Sequence, residues 1–340
     1  MIRSGTNGRP ARWRDGALSR VALIVALGWL AGETSLPGAA PSTRAASPLD
    51  RVEQIRALKP AEAGLRPKAR IEGVVTFSDA VNSLLFIQDA TGGIRVSLRE
   101  GQELPVVGEL VVAKGRVEPD SARPYLGAAI LTRIKAQALP QALPRTIKQI
   151  LTGSADSQLV EVRGVIRSVT PMPGRTKLEL VSEGQRVAVW ELGPDPTVAA
   201  RDRLMDAQVR VRGVSDSRAG GTGLAPAVQL WAAGAGSLVV ETAGPANLFA
   251  LPINSIASLT NELTTPPNRV RIQGTLQGGQ GGSFVIRDAT GSARVFGASS
   301  AALQAGDRLD VAGYVGTNRD PVVIEDAVAR PLAAGAPPSL

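Results

Sequence analysis

Cysteine and histidine are both absent from the sequence, and with them goes most of the standard catalytic and metal chemistry. A Ser-His-Asp or Cys-His nucleophile, a thiolate or imidazole zinc site, an imidazole general base and a phosphohistidine are all excluded. Carboxylate, lysine and tyrosine chemistry remains. Without cysteine no disulfide stabilises the chain, and the redox compartment stays undetermined. Aromatic residues make up only 3% of the composition, so any core must be built from Val, Leu, Ile and Ala. Long hydrophobic runs are also scarce. The clearest, Val21–Ala31, covers about 11 residues, short of the ~20 that a membrane-spanning helix needs.

What is present points to many short strands and tight turns: 37 Gly and 24 Pro among 340 residues, with 44% hydrophobic. The length suits two or three domains. Arg3, Arg9, Arg12, Arg14 and Arg20 precede the apolar run, and small residues follow at Gly38-Ala39-Ala40. That order predicts a signal peptide or an uncleaved N-terminal anchor over residues 1–40, hence export to the periplasm or beyond. The formal charge of +8 includes this segment. Residues 1–40 carry five Arg against Asp15 and Glu33, so the rest holds 33 basic and 28 acidic residues, a net +5. A balance of that size favours solubility and does not demand a polyanion.

The sequence writes one phrase twice: Leu85-Phe86-Ile87-Gln88-Asp89-Ala90-Thr91-Gly92-Gly93-Ile94-Arg95-Val96 and Phe284-Val285-Ile286-Arg287-Asp288-Ala289-Thr290-Gly291-Ser292-Ala293-Arg294-Val295. Each copy reads as a β-hairpin whose Gly takes a positive φ. An eroded third copy lies at Leu178–Val187. Before each hairpin comes an alternating strand with an interior Gly (Gly73, Gly164, Gly274), which marks a bulge or sharp coil. Before each strand comes a short apolar pattern at helical spacing: Val52, Ile55, Leu58; Ile147, Ile150, Leu151; Ile253, Ile256, Leu259. Two further strands close each unit. In the middle unit the excess length falls at Gly193-Pro194-Asp195-Pro196, a loop insertion by composition.

Five strands per unit with a coiled first strand is the plan of an OB-fold, a small Greek-key barrel. The expected class is therefore all-β: a tandem array of three OB-fold-like five-stranded barrels, each preceded by a short helix. The boundaries read as a flexible linker at 41–48, units at 49–136, 143–241 and 249–332, and a disordered tail at 333–340. Joins such as Leu139-Pro140-Gln141-Ala142-Leu143-Pro144 and Leu251-Pro252 would limit swivelling between units.

The hairpin phrase, followed by Leu110-Val111-Val112-Ala113-Lys114-Gly115 and later Gln158-Leu159-Val160-Glu161-Val162-Arg163-Gly164-Val165-Ile166-Arg167, resembles the OB-fold arrays that form the extracytoplasmic sensor region of some bacterial histidine kinases and diguanylate cyclases. The resemblance covers roughly residues 48–332. It implies a non-enzymatic sensory or interaction module at the cell envelope. This chain departs from those sensors after Arg330-Pro331-Leu332, with no second membrane span and no phosphoacceptor histidine. It is expected to be the sensor part alone, a truncated product or a stand-alone relative.

Asp89 and Asp288 recur at one structural position and invite a carboxylate-pair reading. An Asp opening a hairpin turn instead accepts hydrogen bonds from backbone N–H groups two residues on, which is the expected role here. Gly220-Gly221-Thr222-Gly223 and Gly278-Gly279-Gln280-Gly281-Gly282 lack the Lys-Ser/Thr of a phosphate loop and read as connections. No catalytic residue, metal ligand or cofactor is nominated. For ligand binding, the face of the second and third strands presents Gln88, Arg95, Arg186, Trp190, Arg287, Arg294 and Phe296. Basic and amide groups there suit a single nucleic-acid strand, another polyanion or a sugar, while only nine aromatics beyond Trp13 and Trp29 leave few stacking platforms. Trp190 and Trp231 are either a hot spot for a partner or fillers of an apolar gap. The expected partners are an unknown ligand or envelope protein, with single-stranded nucleic acid as the alternative. The membrane enters only through an uncleaved N-terminal segment.

Overall fold

The computed structural model describes residues 47–120, 122–193, 196–218, 227–234, 236–260, 268–280, 282–299, 303–319 and 321–332. The expected leader, most of the 41–48 linker, the Gly220–Gly223 connection, Gly281 and the tail lie outside the described residues.

Alternation with period two, rich in Val and Ile, makes strands, and the strands close into three barrels in tandem. In barrel 1 the short helices α1 (Val52–Arg56) and α2 (Pro60–Gly64) lead into β1 (Lys68–Asp79), β2 (Leu84–Gln88), β3 (Gly93–Leu98), β4 (Glu109–Glu118) and β5 (Tyr125–Ala136). These close in the order β1-β2-β3-β5-β4, with β3 and β5 parallel and every other pair antiparallel. That is the OB-fold strand order.

The two-residue strand β6 (Leu143–Pro144) and helix α3 (Ile147–Leu151) lead into barrel 2. Its strands are β7 (Leu159–Met172), β8 (Arg175–Ser182), β9 (Gln185–Leu192), β10 (Gln208–Arg218) and β11 (Ala227–Ala233), with β12 (Leu238–Thr242) continuing the fifth strand along β10. A second short strand, β13 (Ile253–Asn254), and a 3₁₀ turn at Ala257–Thr260 introduce barrel 3: β14 (Val270–Gln280), β15 (Ser283–Arg287), β16 (Ser292–Ser299), β17 (Arg308–Arg319) and β18 (Val322–Pro331). Both later barrels repeat the parallel third-to-fifth pairing, β9 with β11 and β16 with β18. Each has its own interior of Val, Ile, Leu and Ala, joined in barrel 3 by Phe284.

The third lead element is a single 3₁₀ turn. One expectation needs correction. The extra length of the middle unit is not only loop: it carries helix α4 (Val198–Leu204), capped by the Thr197 hydroxyl accepting from Ala200 N at 3.2 Å.

The interior glycines are set by close approach. A Cβ at Gly73, Gly164 or Gly274 would lie 2.9, 2.7 or 2.7 Å from a second-strand carbonyl oxygen. The register shift follows a few residues later in each first strand, between Val75 and Phe77, Ile166 and Ser168, and Leu276 and Gly278.

The repeated hairpin phrase is a capping device. Asp89 Oδ1 accepts from Thr91 N, Thr91 Oγ1 and Gly92 N at 2.7–2.9 Å. Its other oxygen accepts from Val52 N at 2.9 Å, and Thr91 Oγ1 accepts from Glu53 N at 3.0 Å. The turn thereby satisfies the N–H groups that open α1, which a helix cannot pair internally. Barrel 3 repeats every contact: Asp288 accepts from Thr290 N, Thr290 Oγ1, Gly291 N and Ile256 N, and Thr290 Oγ1 accepts from Ala257 N. In the eroded middle copy the turn is Glu183-Gly184, without the Asp and Thr of the other two, and α3 caps itself. Thr146 Oγ1 accepts from Gln149 N at 3.1 Å, and Gln149 Oε1 accepts from Thr146 N at 2.9 Å, a capping box. The positive φ expected of the repeated Gly occurs only in this middle turn, at Glu183 (50°) and Gly184 (72°), and not at Gly92 or Gly291. The Asp-Ala-Thr-Gly turn is shaped by its side-chain hydrogen bonds and needs no left-handed residue.

Asp89→Ala, Asp288→Ala and Thr146→Ala are each expected to cost about 1 kcal/mol in urea unfolding. Burial alone would raise the Asp288 carboxyl, but its hydrogen bonds hold it below the ordinary carboxylate range. Its stabilisation is therefore complete above about pH 4 and is lost as pH falls through the lowered folded value. The stability gap between wild type and Asp288→Ala should narrow between pH 7 and pH 3.

Candidate functional site

The outer face of the second and third strands is where a ligand was expected, yet in barrel 1 it is covered by barrel 2. Phe77 and Phe86 are buried and meet Leu159, Val214 and Trp231 in one apolar cluster that belongs to neither barrel interior. The Phe77 ring lies 5.5 Å from Trp231, and Trp231 stacks on Trp190 at 5.8 Å. Gln88 is buried here, its Oε1 accepting from Leu159 N at 2.9 Å. Arg56 Nη1 bridges Gly93 O (3.1 Å) and Asp156 O (2.6 Å) across the same junction. Asp156 is itself buried, and desolvation raises its carboxyl above the ordinary range.

Barrel 3 docks on barrel 2 in the same way but with different chemistry. Arg167, at the bulge of β7, is buried against the Tyr314 ring (3.8 Å) and lies 3.6 Å from Glu325 and 3.8 Å from Asp326. Arg186 pairs with Glu325 and, at 3.4 Å, with Glu179. Arg269 meets Asp206 at 2.8 Å, and the Tyr314 hydroxyl donates to the same carboxylate. Burial, followed by Asp206, pushes the Tyr314 hydroxyl well above the usual phenol range.

Register shows the two junctions to be one arrangement. Val214 pairs with Trp231 directly after Gly213, and Tyr314 pairs with Glu325 directly after Gly313. Each pair is the fourth- and fifth-strand end of a barrel pressed on the first three strands of its predecessor. On the receiving side, Gly93 and Arg186 hold the same place: each is the third-strand partner of the second-strand residue whose carbonyl closes on the interior Gly, Gln88 and Val181.

Barrel 3 keeps the corresponding face open. Arg287 and Arg294 are exposed and have no ion-pair partner among the described residues, and Phe296 is 42% exposed. Cross-strand neighbours are Ser292 for Arg287, Val285 for Arg294 and Ser283 for Phe296. Beside Arg287 a groove of ≈ 780 Å³ runs along β14, lined by Gln273, Thr275, Gln277 and Arg308.

Of the seven nominated residues, the structure thus brings together Arg287, Arg294 and Phe296. Gln88 and Arg186 lie in junctions. Arg95 is half-buried, pairing with Asp120 at 2.5 Å and lying 4.4 Å over the Tyr125 ring. Trp190 is half-buried between Trp231 and the cations of Arg175 (4.7 Å) and Lys177 (5.7 Å), its Nε1 donating to Gln229. Sequence reasoning missed Gln277 and Thr275 in the groove. The alternation of β14 could have revealed them, had the bulge after Leu276 been placed.

No protein-family model matches the sequence, and no curated protein is similar to it. Among solved structures, a replication protein A heterotrimer bound to single-stranded DNA is 11% identical, with 84% of this chain and 96% of that chain covered and a TM-score of 0.24. Fission yeast Pot1 with single-stranded DNA is 10% identical over 57% of this chain and 88% of that one, with a TM-score of 0.27. The aspartyl tRNA synthetase of Entamoeba histolytica is 11% identical over 38% of this chain, with a TM-score of 0.26, and only 30% of its own length is spanned. A Leishmania major structure of that class is spanned over 26%. Likeness this slight carries nothing about ligands. The fold rests on the strand order.

A Cβ at Gly93 would lie 1.7 Å from the Ser157 carbonyl oxygen of barrel 2. Gly93→Ala is therefore expected to force the first junction apart and speed hydrogen exchange of the Leu159 amide. Ser292→Ala, at the equivalent open position, should stay within about 0.5 kcal/mol of wild type. Trp231→Ala should cost about 3–5 kcal/mol in urea unfolding.

Proposed function

We propose that the chain is a non-catalytic binding array in which the first two ligand faces hold the barrels together and the third is the working face, binding single-stranded nucleic acid or a similar anionic strand. The observation that carries this reading is the pair of exposed guanidinium groups, Arg287 and Arg294, which make no ion pair among the described residues, on the same β15–β16 face as exposed Phe296. Cations supply phosphate attraction and one ring supplies a stacking platform. With a single platform, phosphate contacts dominate, so binding is sequence-tolerant and sensitive to salt. The non-catalytic part draws support from Asp89 and Asp288, whose oxygens are taken up in capping turns.

Location and sensing belong to a second reading, supported by the Arg-led apolar run at 21–31 and by the resemblance to envelope sensor regions. Two junctions closed by buried side chains suit such a module, since a ligand on barrel 3 would act on barrels already held to one another.

The test is fluorescence anisotropy of the full chain with labelled oligothymidylate. Binding is expected at about 50 mM salt and should fall steeply toward about 200 mM. Arg287→Ala and Arg294→Ala should each lower the salt slope by about 1, and Phe296→Ala should weaken binding by about 1–3 kcal/mol. No binding at low salt, or variants that bind like wild type, would overturn the proposal.

A further inference from the structure

The β1–β4 side of barrel 1 holds a groove of ≈ 520 Å³ lined by five basic side chains: Lys68, Arg70, Arg99, Lys114 and Arg116. All five are exposed, and none has an ion-pair partner among the described residues. Lys68 lies directly opposite Arg116, and Arg70 directly opposite Lys114. Like charges facing across a strand pair repel, so this arrangement opposes folding.

The other barrels neutralise the same strand pair. In barrel 2, Arg163 faces Arg210, but Glu241 pairs with both, at 3.0 and 3.3 Å, and Glu161 pairs with Arg210 and Arg212. In barrel 3, buried Asp310 lies between Arg271 (2.7 Å) and Arg330 (3.0 Å). Around the barrel 1 groove no acid pairs with these five cations among the described residues. Gly127 stands opposite Arg116, where Glu325 stands opposite Tyr314 in barrel 3. Glu118 pairs with Arg66 and Glu109 with Arg133. Glu72, the next outward residue on β1, makes no ion pair among the described residues.

Position adds a second argument. Lys68 and Arg116 pair as Leu159 and Val214 do in barrel 2, where those residues press on barrel 1. In barrel 1 that docking end is open among the described residues, and it is cationic where barrel 2 is apolar. Its other lining residues include Pro48, Ala69, Ala128 and Ile130, with no aromatic ring to stack on a base. Arg116 is held in place by donating from Nη1 to the Arg66 carbonyl at 3.2 Å.

We propose that this groove is a binding site for a compact multivalent phosphate, a condensed oligophosphate recognised by charge and not by a base. It is separate from the barrel 3 face and does not rest on that reading. The probe is inorganic tripolyphosphate, titrated calorimetrically into the full chain at about 50 mM salt. Saturable binding is expected, with affinity lowered about tenfold or more by Lys114→Glu or Arg70→Glu. Lys114→Glu should at the same time raise Tm without ligand, because it replaces the repulsion with Arg70 by attraction. Higher Tm together with lost binding separates a site from a damaged fold. Arg294→Ala should leave tripolyphosphate binding unchanged, and Lys114→Glu should leave oligonucleotide binding to barrel 3 unchanged. Absence of saturable binding by wild type, or Lys114→Glu binding like wild type, overturns the proposal.

Discussion

The contact of Phe77 and Phe86 with Trp231 governs how the rest of the array can be used. An apolar second-strand face cannot stay in water without cost, and here the next barrel covers it. The cover fits only because the third strand of barrel 1 begins without a side chain, at Gly93, where the Ser157 carbonyl comes within the space of a Cβ. Once that face is closed, Gln88 becomes a junction residue that accepts from the Leu159 amide. The same docking recurs between barrels 2 and 3 with ions in place of rings. There Arg167 and Arg186 receive Tyr314 and Glu325, so one geometry accommodates two chemistries. Burying Arg167 demands partners of opposite charge or π density, and it has both.

Docking decides which surfaces remain for other molecules. A face that holds a neighbour offers nothing to a ligand, and a face without one keeps its charges unpaired. Among the described residues, barrel 3 accordingly leaves Arg287, Arg294 and Phe296 exposed, and barrel 1 leaves the cations of its groove without an ion pair. Both open surfaces are basic. Two such surfaces repel one another, which disfavours end-to-end association of copies through them and favours anionic partners.

The capping turn links the repeated phrase to the lead elements. Asp and Thr of the hairpin satisfy the first N–H groups of the element before the barrel, and so tie an approaching chain segment to the β2–β3 or β15–β16 turn. Barrel 2 has no such tie among the described residues: the start of α3 is capped from within, Thr146 Oγ1 accepting from Gln149 N and Gln149 Oε1 from Thr146 N. The second of these bonds also has a counterpart in barrel 1, where Gln54 Oε1 accepts from Arg51 N beside the hairpin tie.

The three-barrel plan was legible in the sequence because strand alternation, interior glycines and a repeated turn are local signals that survive without knowledge of neighbours. The role of Asp89 as a hydrogen-bond acceptor was legible for the same reason. Its partner in α1 was not, since Val52 lies 37 positions away. The outward-pointing positions were nominated from alternation, and alternation says only that a side chain leaves its own barrel. Whether it then meets water, as Arg294 does, or another barrel, as Gln88 does, depends on contacts between segments some 70 residues apart, such as Gln88 with Leu159. The sequence by itself determined the barrels and their turns, through short-range periodicity and side-chain hydrogen bonding. Only the tertiary structure decided which faces are spent on docking and which cations lack a carboxylate, because burial and ion pairing are properties of surfaces that come together after each barrel has formed.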